Sequence, residues 1–302
     1  MRILIIGLGS IAKKHMDAIN ALSQEVSFLA LRSSKEAKKV ENVTNIYSLN
    51  EVKETIDFCI ISNPTHLHYD AINNAIDLNV PMFIEKPSLM NLKGANDLLE
   101  KIKSQNILTH VAFNLRFHPV LNFLKKHVNP EEVFEANIYC GSYLPDWRPN
   151  VDYRKVYSAN KKMGGGVHLD LIHEIDYATW LFGYPEQTQS VKTNISNLEI
   201  DSIDYAHYQM MYPNKVVSIT LNYYRKTPKR CLELVTTQGV IFANLLSQKV
   251  WNEQEEIIFE SNSTILDTYH KQMKYFLGLL SSQEPSFSTF ENSLENLKIC
   301  LK

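Results

Sequence analysis

Apolar and polar positions change rhythm once along the chain. In the first third, short apolar runs alternate with segments of helical periodicity. Residues 2–6 read as a strand, 10–23 as a helix, 26–31 as a second strand, 35–41 as a short helix and 44–47 as a weak strand. Residues 57–61 read as a buried strand, 66–78 as a helix, 81–84 as a strand, 88–104 as a helix and 107–112 as the last strand of the set. This alternation predicts an α/β domain with a parallel, doubly wound sheet. After about residue 118 a helix at 119–127 leads to a strand at 133–143, and a polar and aromatic stretch runs from Leu144 to Met163. Gly164-Gly165-Gly166 then opens a strongly apolar helix to about Phe182, residues 187–260 read mainly as strands, and helices at 264–281 and 290–301 end the chain. Sequential strands predict a mostly antiparallel sheet. The expected division is a Rossmann domain over 1–118 and a second α/β domain over 119–302.

Composition narrows the function classes. With 302 residues, 44% of them hydrophobic, the chain can fill two packed cores. A formal charge of -2 argues against a nucleic-acid surface, which needs a basic excess. No apolar run approaches the roughly 18 residues of a membrane span. Met1–Ile6 runs straight into glycine and lacks the form of a secretion signal, so a soluble, cytoplasmic protein with no membrane partner is expected. Cys59, Cys140, Cys231 and Cys300 lie far apart with no CxxC pair, which excludes a zinc ribbon and a thioredoxin motif. No metal is expected: an H-E-x-x-H site starting at His173 would need histidine at 177, where Tyr177 stands, and His66, His68 and His168 form no ligand set.

Candidate chemistry begins at Gly7-Leu8-Gly9-Ser10-Ile11-Ala12, a G-x-G-x-x-A turn between the first strand and first helix. Gly7 allows the turn, Gly9 lets the backbone approach a pyrophosphate, and Ala12 lets helix and strand pack closely. The helix start at Ser10 and Ile11 offers N–H groups to the phosphates. An acid at the end of the second strand would bind the ribose hydroxyls of NAD. The chain has Leu31-Arg32-Ser33-Ser34-Lys35 instead. Arg32 and Ser33 can grip a 2′-phosphate, so NADP is expected in preference to NAD. The alternative is that Arg32 and Lys35 are ordinary surface charges. A second landmark is Glu85-Lys86-Pro87, which closes the apolar run Val80–Ile84. A lysine at the carboxyl end of a central strand sits where α/β sheets bind ligands, and proline fixes the backbone after it.

Five segments in order carry a resemblance: Gly7–Ala12, Asn63-Pro64-Thr65-His66-Leu67-His68, Glu85-Lys86-Pro87, Asn114-Leu115-Arg116-Phe117 and Gly164-Gly165-Gly166-Val167-His168-Leu169-Asp170. Together they resemble the glucose–fructose oxidoreductase / inositol dehydrogenase (Gfo/Idh/MocA) family over nearly the whole length. The resemblance implies a large, mostly antiparallel open sheet in the second domain, a homodimer or homotetramer built on it, and hydride transfer between NAD(P) and a sugar, cyclitol or related polyol. It implies that Lys86 is the catalytic lysine and that Asn63, Pro64, His68, Glu85 and Asn114 lie on the cofactor side with Lys86. The family pattern is an aspartate with histidine four positions later. Here Asp170 is followed by His173 and Glu174; Asp170 and His173 are the favoured pair facing substrate with Lys86, and Glu174 at the usual histidine position is the alternative. Residues three and four apart share a helix face, which would put both beside Asp170.

Oxidising an alcohol removes a hydride from carbon and a proton from oxygen, and a side chain must take the proton. A free lysine titrates at about 10.4; an oxidised nicotinamide favours its neutral form and Glu85 opposes that. Trp147, Arg148, Tyr153 and Arg154 supply rings and guanidinium groups suited to sugars and anions. Their segment resembles a subset of the family that modifies sugars or nucleotide sugars for surface glycans. The alternative is a loop pinned to its own domain or to a neighbouring subunit. Two other functions fit the same fold: reduction of a non-sugar carbonyl, and a cofactor-sensing regulator that has lost catalysis.

Overall fold

Strand β1 (Arg2–Ile6), buried from Ile3 to Ile6, is flanked on both sides in a six-stranded sheet. After it come α1 (Ser10–Leu22), β2 (Ser27–Leu31), β3 (Val43–Ile46), β4 (Phe58–Ile61), α2 (His68–Ile76), β5 (Met82–Ile84), α3 (Ala95–Ser104) and β6 (Thr109–Val111). The strand order is β3-β2-β1-β4-β5-β6, with every pairing parallel. The order reverses between β1 and β4, and a crevice at the carboxyl ends of these strands is where such sheets take ligands. The computed structural model describes residues 1–302 except Gln24 and Gln283.

The chain divides into two compact units, Met1–Asn114 with Ile265–Glu295, and Leu115–Thr264 with Asn296–Lys302. The division by contacts falls at 114/115 where 118/119 was expected, and residues 265–295 group with the first unit. The reason is burial. The helix Ile265–Ser282 packs beside α1 and completes the cover of the sheet face on which α1 lies. Its Met273 and Phe276 join Ile3, Ile5, Met16, Phe58 and Phe83 in one core, and Phe276 meets Phe58 and Phe83 edge-on at 5.1 and 5.2 Å.

The second unit begins with α4 (Pro119–His127) and β7 (Val133–Gly141). A run of 3-10 turns leads to α5 (Val167–Asp170) and α6 (His173–Phe182). Strands β8 (Gln187–Thr193), β9 (Tyr205–Met211), β10 (Val216–Asn222), β11 (Lys229–Thr236), β12 (Gly239–Asn244), β13 (Lys249–Asn252) and β14 (Ile257–Glu260) follow. They form an eight-stranded sheet in the order β14-β13-β12-β11-β7-β10-β9-β8, antiparallel except for the pair β10–β7. Alternate residues bury one face (Ala136, Ile138, Val217, Ile219, Leu232, Leu234) and leave the other half-buried (Tyr139, Thr220, His207, Cys231). The chain ends in α7 (Ile265–Ser282) and α8 (Phe290–Leu301).

Three predicted helices differ. Residues 35–41 are turns, because Ser34 Oγ accepts from the Glu36 N–H and the segment has no apolar stripe to bury. The helix predicted over 88–104 starts only at Ala95, after Gly94 at φ +69°. The helix after the triple glycine is two pieces, broken at Leu171-Ile172.

Candidate functional site

In the first unit the turn after β1 separates two kinds of glycine. Gly7 has φ +97°, and a Cβ there would stand 2.3 Å from the Asn63 nitrogen, so the fold itself demands glycine. Gly9 has φ -98°, open to any residue, and a Cβ there would meet nothing within 4 Å. Nothing in the chain requires glycine at that position. It leaves bare backbone and free space at the start of α1, a thirteen-residue helix with no side-chain cap and no acid in its first turn. The first N–H groups of a helix lack partners within it, and the buried Asn63 Oδ1 beside this turn also has no partner. These features fit the diphosphate of a dinucleotide, held by Gly7, Gly9, Ser10, Ile11 and Ala12. Pro64, exposed, ends the facing turn after β4.

Arg32 follows β2. It is half-buried, and its Nη1 donates to Asn45 Oδ1 at 3.2 Å and to the Lys38 carbonyl at 3.4 Å; Ser33 beside it is exposed. Lys35 lies over the Tyr47 ring at 5.7 Å, which gives this charge a local structural contact.

At the end of β5, Glu85 is buried and its Oε1 lies 2.6 Å from His15 Nε2 on α1. Burial pushes the Glu85 carboxyl up, but the His15 hydrogen bond and charge, with Lys86, outweigh it and leave the group below the usual range. Its Oε2 accepts from the Lys86 N–H at 3.1 Å. Lys86 is half-buried and joined to Pro87 by a cis peptide bond. His68 is buried with Nδ1 3.0 Å from the Pro87 carbonyl and Nε2 2.9 Å from the Asn63 carbonyl. Burial lowers its pKa against the pull of these oxygens. The His68 ring therefore ties the turn after β4 to the turn after β5, with both ring nitrogens engaged by backbone carbonyls. Asn114 is also inward: its amide donates to Thr268 Oγ1 of α7 at 2.8 Å.

In the second unit the buried Asp170 ends α5 and its Oδ2 accepts from the Tyr223 hydroxyl at the end of β10. Tyr157 is a second hydroxyl on this carboxylate: Asp170's charge, then burial, raises the Tyr157 pKa. Burial, then Asp170, does the same to Tyr223. Gly165 brings Tyr157 close, since a Cβ there would stand 2.2 Å from the Tyr157 carbonyl. Behind the phenols lie two expected substrate residues. Trp147 packs edge-on to Tyr223 at 5.2 Å and donates to Ser142 Oγ, and Arg148 lies over Tyr157 at 5.6 Å.

The other two expected substrate residues are engaged elsewhere. Arg154 is exposed and bonds Asp152 and Glu199, and the Tyr153 hydroxyl accepts from the Glu199 N–H. They pin the loop to its own unit.

Glu174 is corrected as an acid/base candidate. Its side chain is fully buried and receives Arg230 Nε at 2.6 Å and Nη2 at 3.2 Å. Burial works against the Arg230 charge, but Glu174 outweighs it and holds the guanidinium ionised. The break at Leu171-Ile172 is the cause, because Asp170 and Glu174 do not share one continuous helix. His173, buried, is the first residue of α6. Arg116 forms a buried two-point ion pair with Asp176, which also accepts from Asn296. Burial raises the Asp176 pKa against the pull of Arg116.

His15, Tyr157, Tyr223 and Arg230 were not singled out in the sequence. His15 left a trace: it is the one polar residue in the buried stripe Ala12, His15, Met16, Ile19 of α1. The two tyrosines have no spacing that marks them. Among the described residues no group of three His, Cys, Asp or Glu could hold a metal ion, and no helix is long and apolar enough to cross a membrane.

These features define a class: a doubly wound unit with a diphosphate turn, followed in the same chain by a large mixed sheet, as in two-domain nucleotide-dependent oxidoreductases. The chain belongs to the Gfo/Idh/MocA oxidoreductase family. The family's NAD-binding Rossmann fold matches residues 1–113 and its C-terminal domain matches residues 132–242. Relatives include the uncharacterized oxidoreductase YrbE of Bacillus subtilis, 25% identical over 231 residues, with the match covering 72% of this chain and 65% of YrbE. The myo-inositol 2-dehydrogenase of Thermotoga maritima is 22% identical over 309 residues, covering 94% and 90% of the two chains. Similar solved folds are the UDP-N-acetylglucosamine 3-dehydrogenase GnnA of Acidithiobacillus ferrooxidans (TM-score 0.81, 18% identity, covering 100% and 95%) and levoglucosan dehydrogenase in complex with NADH (0.85, 16%, covering 99% and 95%).

Proposed function

We propose that this protein is an NADP-preferring dehydrogenase or reductase acting on CH–OH of a sugar or nucleotide-sugar derivative, with a role in surface-glycan biosynthesis. The observation that carries the reading is Lys86, half-buried at the carboxyl end of β5 and preceded by a glutamate fixed by buried His15. The relatives act, by their names, on inositols, levoglucosan and a UDP-sugar, which supports the substrate class.

The bound nicotinamide supplies the hydride chemistry. As the ammonium, Lys86 would donate a hydrogen bond to the reacting oxygen, stabilise its developing negative charge and give it a proton in the reducing direction; as the neutral amine it would take that proton in the oxidising direction. Asp170, held by Tyr223 and Tyr157, accepts from a substrate hydroxyl and so orients the ring. His173 relays protons, and Trp147 and Arg148 support the substrate side. Arg32 and Ser33 hold the 2′-phosphate. The protein is proposed to work in the cytoplasm as a homodimer or homotetramer formed through the half-buried sheet face.

Steady-state oxidation of NADPH and NADH, and reduction of NADP and NAD, with pooled sugars, cyclitols and nucleotide sugars tests the reading. Turnover with at least one pool, faster with the phosphorylated cofactor, is expected. Cofactor binding with no turnover on any pool overturns it in favour of a regulator.

A further inference from the structure

Two arginines of the segment between β7 and α5 are used in opposite ways. Arg154 holds two carboxylates, Asp152 at 2.8 Å and Glu199 at 3.0 Å. Arg148, exposed, has no carboxylate partner among the described residues, and its guanidinium carbon lies 5.6 Å from the centre of the Tyr157 ring. The same phenol turns its other end to the site: the Tyr157 hydroxyl bonds Asp170, which also accepts from Tyr223. Trp147, next to Arg148, packs edge-on against that second phenol at 5.2 Å. Arg148 and Asp170 are therefore opposite charges on either side of one aromatic ring. The helix α5, which carries Asp170, packs against β9 and β10, whose inward residues Tyr208, Ile219 and Leu221 are fully buried. The pair thus stands on the opposite side of the sheet from the half-buried face proposed for subunit contact.

The two charges recognise different groups. A carboxylate that already accepts from two phenols keeps lone pairs for the O–H of a sugar and repels an anion. A guanidinium resting against a ring keeps its N–H groups unspent, and their fork matches a carboxylate or phosphoryl group. A neutral sugar would satisfy Asp170 and leave Arg148 idle, whereas a sugar with an acid on its own ring would engage both. We propose that Arg148 is a specificity-determining residue and that the substrate is an acidic sugar, whose ring-borne carboxylate or phosphoryl group is bound by Arg148 while one of its hydroxyls donates to Asp170. The inference rests on the reading of Asp170 as the residue that orients the substrate ring, and it narrows that reading to sugars in which the oxyanion and the oriented hydroxyl are about a phenol's length apart.

The test is steady-state turnover of the full-length protein, with NADP and NAD, on matched sets of sugars that differ in one acidic group. Hexoses are compared with hexuronates for a ring carboxylate and with hexose 6-phosphates for a ring phosphoryl group. UDP-hexoses are compared with UDP-hexuronates, to separate a ring acid from the diphosphate of a nucleotide sugar. One acidic set is expected to exceed its neutral counterpart in kcat/KM by about tenfold or more; a gain with hexuronates assigns the group to a carboxylate, and a gain with hexose phosphates to a phosphoryl group. Arg148→Gln should remove this advantage by raising KM about tenfold with kcat within about threefold, because a contact held equally in the bound and transition states is lost from KM. Neutral sugars should be affected far less. Arg148→Lys, which keeps the charge without the fork, should recover part of the loss. Lys155→Gln, exposed in the same segment, is the control. Arg148 is exposed as well, so the melting curves of its variants should match wild type. Lys86-dependent turnover that is as fast with neutral as with acidic sugars overturns the inference and leaves the dehydrogenase reading standing. An acidic preference that survives Arg148→Gln does the same. An Arg148 effect seen equally with UDP-hexoses and UDP-hexuronates also overturns it, since the guanidinium then serves the diphosphate. No turnover with any set removes the reading, and the inference with it.

Discussion

Asp170 and Glu174 lie four residues apart and are committed to different partners, Asp170 to the Tyr223 phenol and Glu174 to the Arg230 guanidinium. Removing one partner of a buried ion pair leaves an uncompensated charge, at about 3–5 kcal/mol. Glu174→Ala is therefore expected to destabilise the protein by about that amount in urea denaturation. Asp170→Asn should lose turnover with a much smaller stability change. The reverse pattern would exchange the two roles.

Lys86→Ala is expected to lower kcat by roughly 10²- to 10⁴-fold, the range for loss of a general acid or base. Fluorescence titration with NADPH should give a dissociation constant within about threefold of wild type, because the diphosphate turn is untouched. Full activity in this variant would remove Lys86 from the mechanism.

The two glycines of the first turn should respond oppositely to alanine. Gly7→Ala meets both a left-handed backbone and the Asn63 nitrogen, and a stability loss above ~2 kcal/mol is expected. Gly9→Ala meets neither, so its melting temperature should hold while affinity for the dinucleotide falls by about tenfold, or ~1.4 kcal/mol. Unchanged cofactor affinity in Gly9→Ala would contradict the diphosphate assignment.

Arg32→Glu replaces a phosphate-gripping cation by a carboxylate suited to ribose hydroxyls. NADPH binding is expected to weaken by more than about tenfold, with NADH binding held or improved. Equal losses for both cofactors would return Arg32 to a structural role with Asn45.

Burial, then the charges of Lys192 and Lys161, depresses the His168 pKa from 6.5 to about 4. Between these values the unfolded chain binds the proton and the folded one does not. Stability from this group is therefore complete above pH 6.5, falls as pH drops toward 4, and falls no further below it. The linked change is roughly 3 kcal/mol. Denaturation midpoints measured across this window should flatten in His168→Asn, and an unaltered profile would show that other groups carry the acid sensitivity.

Strand order in the first unit was legible chiefly at its centre, where β4 and β5 are continuous apolar runs closed by a turn, as in Phe58–Ile61 before Ser62-Asn63-Pro64. The G-x-G-x-x-A turn and Lys86 were legible because backbone conformation and strand ends restrict residue type there. The return of α7 to the first unit was not, since an amphipathic stripe shows that a face is buried but not against which sheet. Glu174 misled for a related reason: spacing of four implies a shared face only on an unbroken helix, and Leu171-Ile172 interrupts this one. Tyr157 and Tyr223 reach Asp170 from separate segments, at 13 and 53 residues' separation. No local pattern encodes such a meeting.

Among the described residues, the pairing of β7 with β10 is the one parallel joint of the second sheet. Two strands running the same way cannot be linked by a tight hairpin, so the chain must make a long traverse between Gly141 and Val216. That traverse carries Trp147, Arg148, Tyr157, Asp170 and His173. Its 3-10 turns between Leu144 and Met163 belong to no strand pair, so their length and residue types answer to what they touch and not to the register of the ladder.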